Sequence, residues 1–111
     1  MTTPISIENE LKQLGEKIEH LSKVIAWHTA KRDWRKRLLK LADSIAQLDF
    51  KGPQWKAKSH AVKVTIKEQS DLDVAEAELT LALELKHAYD KQVFTTLGRN
   101  KSIGNAYNWG H

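Results

Sequence analysis

From Ile7 the large apolar residues of this 111-residue chain recur at alternating four- and three-residue intervals, through Leu11, Leu14, Ile18, Leu21 and Ile25. No proline falls between Pro4 and Pro53, and Gly15 is the single glycine before Gly52. That spacing is the seam of a coiled coil. A run of this length without a breaker leaves a long amphipathic helix as the regular structure open to it. Ser6 is placed to cap it, with Glu8 and Glu10 in the first turn to offset the helix dipole. A second series, Trp27, Trp34, Leu38, Leu41, Ile45 and Leu48, keeps the period but is offset from the first. The offset predicts a stutter in the seam rather than a break in the helix. Gly52-Pro53 ends the helix, glycine suiting a left-handed C′ position and proline being unable to continue the ladder.

Residues 54–69 are ambiguous. Val62, Val64 and Ile66 alternate with Lys63, Thr65 and Lys67, which favours a short strand or extended arm. Trp55, Val62 and Ile66 also fit one face of a helix. Ser70 with Asp71 and Asp73 forms a capping-box-like start for a second long helix through Leu79, Leu83 and Val93 to Leu97-Gly98. A flexible tail from about residue 98 carries Ile103, Tyr107 and Trp109, which predict docking or ordering on binding. The expected fold is therefore mainly α, a single domain of two amphipathic, coiled-coil-like helices, about 6–50 and 70–97, around a basic connector. So short a chain cannot cover both apolar stripes by folding on itself, and self-association into a homo-oligomer is expected to cover the rest.

Charge is segregated along this frame. Residues 31–67 hold eleven Lys or Arg against Asp33, Asp43 and Asp49, net +8, and residues 68–97 hold seven acids against Lys86 and Lys91, net −5. The first basic cluster is Lys31, Arg32, Arg35, Lys36, Arg37 and Lys40 around Trp34. On a helix most of that charge turns away from Trp34, Leu38 and Leu41, and like charges so close repel one another unless a polyanion neutralises them. The plainer reading is a solvated helix face. The second cluster, Lys51, Lys56, Lys58, Lys63 and Lys67, contains no acid and surrounds Trp55 and His60. Lysines spaced in this way can follow phosphates, and an exposed indole can stack on an unpaired base. Trp55 fits equally well as a core anchor under the turn.

Other classes find little support. The chain has no cysteine, which removes disulfides, thiolate metal sites and thiol nucleophiles and suits a reducing, cytoplasmic setting. The N-terminal residues do not read as an export signal, and no stretch is apolar enough to span a membrane. His20, His28, His60, His87 and His111 are scattered, without ligand spacing. Gly98-Arg99-Asn100-Lys101-Ser102 lacks both the first glycine of a phosphate-binding loop and the strand before it. Neither an enzyme nor a cofactor is expected.

In its second half the chain resembles the UvsY-like recombination mediators of T4-type phages. Lys58-Ser59 with the lysines to Lys67, then Ser70-Asp71-Leu72-Asp73, an apolar helix to Leu97 and a short basic tail carry the likeness, over about residues 56–107. The resemblance implies a small helical oligomer, without catalytic activity, that binds single-stranded DNA and helps a RecA-like recombinase displace single-strand-binding protein. The first half departs from the family: its basic Lys-x-Arg element would fall at Ser44 to Gln47, which carry no charge. The nucleic-acid-binding residues, toward DNA or RNA, are thus assigned from charge alone. The competing expectation is a coiled-coil adaptor or phage-encoded inhibitor whose basic patch meets an acidic protein, with residues 68–90 pairing with the basic segment of a neighbouring subunit.

Overall fold

The computed structural model describes the backbone of residues 3–109 and the side chains of residues 3–99. Three helices follow one another: α1, Pro4–Asp49; α2, Gln54–Val64; and α3, Ile66–Trp109. No strand occurs among the described residues. The mainly α class with long helices is as the heptad spacing predicts, and the differences lie at the ends and at the connector.

Helix α1 starts before Ser6. Thr3 is the capping residue, its Oγ1 accepting from the Ser6 amide at 3.1 Å and its carbonyl from the Ile7 amide at 3.0 Å. Pro4 takes the first helical position, where its missing N–H costs nothing. Helix α3 likewise starts at Ile66, so Ser70 is an interior helical residue and not a cap. At its far end α3 runs through Leu97-Gly98 to Trp109. A Cβ at Gly98 would meet nothing within 4 Å, and no proline follows to stop the ladder. The docking expected of Ile103, Tyr107 and Trp109 lies outside the described side chains.

The connector 54–64 is a helix, not a strand. Ala57, Ala61 and Thr65, four residues apart, are buried, whereas the alternating Val62, Val64 and Ile66 are all exposed. Burial of a face at helical period outweighs a two-residue alternation with no sheet to join. Thr65 bends the chain between α2 and α3. Its hydroxyl donates to the Ala61 carbonyl at 2.7 Å, and the Gln69 Nε2 donates both to the Val62 carbonyl at 2.9 Å and to Thr65 Oγ1 at 3.0 Å. A side-chain hydroxyl bonded back into the ladder bends a helix in this way, and Gln69 satisfies the carbonyl at the bend. Gly52 does not adopt a positive φ. A Cβ there would lie 2.7 Å from the Phe50 ring, which folds back to 4.9 Å from the His60 ring, so a larger residue would have to displace that ring.

The chain divides into two compact units, Met1–Val24 with Ala82–His111, and Ile25–Leu81. In the first, α1 and α3 run antiparallel. Glu10 accepts from Thr96 Oγ1 at 3.2 Å and from Arg99 Nη2 at 2.7 and 2.8 Å, and Lys17 Nζ lies 5.8 Å from the centre of the Tyr89 ring. Ile7, Leu14 and Leu21 of the first heptad series are its buried residues on α1.

In the second unit α1 and α3 are again antiparallel, as the contacts of Lys31 with Glu78 and of Arg35 with Asp71 show. The stutter predicted near Trp27–Trp34 is absent. Helix α1 is unbroken, and the four-three count from Ile7 continues unshifted onto His28, Arg32, Arg35, Leu39, Ala42 and Ala46, which are buried or half-buried. On the facing side the same spacing falls on Ala61 of α2, Thr65 between the helices, and Glu68, Leu72, Ala75 and Leu79 of α3, also buried or half-buried. His28 and Arg35 hold the seam beside Glu78 and Asp71 of α3, and Arg32 pairs with Asp33 on α1 itself. The apolar series Trp27, Trp34, Leu38, Leu41, Ile45 and Leu48 lies about a quarter turn to one side, and all but Leu38 of them are exposed.

Candidate nucleic-acid interface

All thirteen residues assigned from charge lie in the second unit, and the seam sorts them into three sets. The first set is committed to the fold. Lys31 Nζ donates to Glu78 Oε2 at 3.0 Å, Arg32 pairs with the neighbouring Asp33 at 3.0 Å, and Arg35 Nη1 donates to Asp71 Oδ2 at 3.4 Å. His28 Nδ1 lies 3.5 Å from the same Glu78 oxygen. The expectation that most of this cluster turns away from Trp34 therefore fails for Arg35, whose guanidinium sits 4.6 Å from the centre of the Trp34 ring. The acidic partners expected from a neighbouring subunit, Asp71 and Glu78, are used within the same chain.

The second set, Lys36, Arg37 and Lys40, is exposed on α1 and makes no ion pair among the described residues. Lys36 and Lys40 each stand one residue after a seam position. They edge a groove of about 470 Å³ whose far wall is Val62, Thr65, Gln69 and Leu72. Leu39, Val62 and Leu72 give the groove apolar walls, Thr65 and Gln69 add polar groups, and Asp43 stands with Lys36 and Lys40 on the α1 side.

The third set lies around α2. Lys51 precedes it, Lys56, Lys58 and Lys63 project from it, and Lys67 opens α3; all five are exposed and free of ion pairs among the described residues. Burial of Ala57 and Ala61 fixes the opposite face outward, and that face carries Trp55, Ser59 and the i, i+7 pair Lys56 and Lys63. Trp55 is 77% exposed, with Lys56 Nζ 5.0 Å from the centre of its ring. It is not a core anchor.

Trp27 is the residue that charge counting missed. It is 60% exposed, with Lys31 Nζ 5.2 Å from the centre of its ring, and its place seven residues before Trp34 was the signal. Among the described residues no three His, Cys, Asp or Glu side chains gather that could hold a metal ion, and no helix is long and apolar enough to cross a membrane. In comparisons with known proteins, no family model, no curated protein and no solved structure matches the chain.

Proposed function

We propose that the chain binds single-stranded nucleic acid through α2 and the free cationic flank of α1, without catalytic activity of its own. The observation that carries this reading is α2 itself. Between Lys51 and Lys67 there is no acid, and a nearly bare indole stands among lysines that the fold does not neutralise. Sequence-independent binding to single strands needs these two elements, a cationic track for the phosphates and an aromatic platform for the bases. In its fuller form the proposal is an oligomeric recombination mediator that helps a RecA-like recombinase displace single-strand-binding protein, a role supported by the likeness of the second half to the UvsY-like family. The adaptor alternative is weakened because Asp71 and Glu78 are engaged within the chain.

Fluorescence anisotropy with a labelled single-stranded oligonucleotide tests it. Trp55→Ala should weaken binding by the worth of one stacked base, about 1–3 kcal/mol. Lys56→Glu with Lys63→Glu should weaken it at least tenfold, about 1.4 kcal/mol, with the circular dichroism of the helices retained. Affinity unchanged in both variants would reject the proposal.

A further inference from the structure

The second unit has a face that its own fold leaves uncovered. Trp27, Trp34, Leu41 and Ile45 of α1, with Val74 and Leu81 of α3, are between 47% and 68% exposed. They share one side of the helix pair. In two antiparallel helices, positions preceding the seam project to the same side, and the contacts here agree. Asp71 and Glu78, each one residue before the seam on α3, meet Arg35 and Lys31 of α1. Lys67 and Asp71 also line one groove of about 270 Å³ with Leu38, Leu41 and Ile45. Lys36 and Lys40 follow the seam and edge the groove on the other side.

We infer that this apolar face is where a second copy of the chain docks, helix pair against helix pair about a two-fold axis, to form a four-helix assembly. Three observations select this occupant. Six large apolar side chains, each about half exposed or more, gather on one side of the helix pair, where scattered single residues are the rule on a monomer surface. Two ion pairs, Arg35 with Asp71 and Lys31 with Glu78, cross this face between the helices and are neutralised within the chain, so they add no net charge where two copies meet; Lys67, at one end of the face, has no ion pair among the described residues. On α1 the face repeats every seven residues at Trp27, Trp34 and Leu41, with Leu38 and Ile45 between and after them, and a helix surface of the same period interlocks with that spacing. The inference deepens the oligomeric part of the proposed function and rests on it.

Sedimentation of the full chain at micromolar concentration, without nucleic acid, tests the inference apart from the binding reading. The expected result is a dimer or a higher multiple. Leu41→Glu should raise the dissociation constant at least tenfold, whereas Lys36→Glu with Lys40→Glu, on the other side, should leave it unchanged. Leu48→Cys provides a control that does not depend on tolerance of a buried charge, since Leu48 is 84% exposed and the chain has no other cysteine. A spin label there should report a second label on the docked copy within about 50 Å, the span of some 30 helical residues. A monomeric wild type, or a Leu41→Glu variant that assembles as before, would overturn the inference, whatever anisotropy shows for the oligonucleotide.

Discussion

Arg35 and Arg37 are two residues apart in one basic run, and the fold gives them opposite tasks. Arg35 occupies a seam position, donates to Asp71 and covers Trp34, whereas Arg37 is exposed on the outer side of α1. Arg35→Glu sets a carboxylate against Asp71 in a half-buried site and should cost about 1–3 kcal/mol of stability. Arg37→Glu should stay within about 0.5 kcal/mol of wild type. Urea denaturation of the two variants separates the roles, and equal losses would contradict the seam register. Composition made the basic run legible, but the division of labour within it was not, because it depends on acids more than thirty residues away that become neighbours only when the helices pair. Trp55 illustrates the same limit: an indole after a turn fits a core or a surface equally well until the buried face of α2 is known.

At the scale of elements, the long helices were legible because periodicity and the lack of breakers act locally. Their ends were less so. Thr3-Pro4 is as good a start signal as Ser6, and the capping pattern at Ser70 lies inside a helix that tertiary burial had already begun at Ile66. The alternation in 62–66 points to a strand only when Ala57, Ala61 and Thr65 are left out of the count. The bend at Thr65 depends on its hydroxyl, which is buried and bonded to both Ala61 and Gln69. Thr65→Val keeps the shape and removes both bonds, and should lower stability by about 1–2 kcal/mol. Gly15 and Gly98 act in the other direction. Each lies inside a helix, and a Cβ added to either meets nothing within 4 Å. Gly15→Ala and Gly98→Ala should each raise the stability by about 0.5–1 kcal/mol, seen as a higher urea midpoint at unchanged slope.

For the molecule as a whole, charge segregation along the sequence serves two purposes. Part of the positive segment is neutralised by the acidic one in the second unit, where His28 and Arg35 stand beside Glu78 and Asp71 at positions a coiled coil would give to leucines, and Arg32 pairs with Asp33 on its own helix. The remainder, Lys36, Arg37, Lys40 and the lysines around α2, is left outside with Trp55. If copies join through the apolar side, these cationic sides are multiplied on one particle, and linked weak sites hold a long strand far better than one site alone. The central claim is that this remaining charge meets phosphates. The most direct measurement is the affinity for a labelled single-stranded oligonucleotide, followed by anisotropy across a salt series. With about five to eight phosphates neutralised per binding unit, log K should fall against log salt with a slope of about −0.7 per phosphate. No binding at low salt, or binding indifferent to salt, would contradict it.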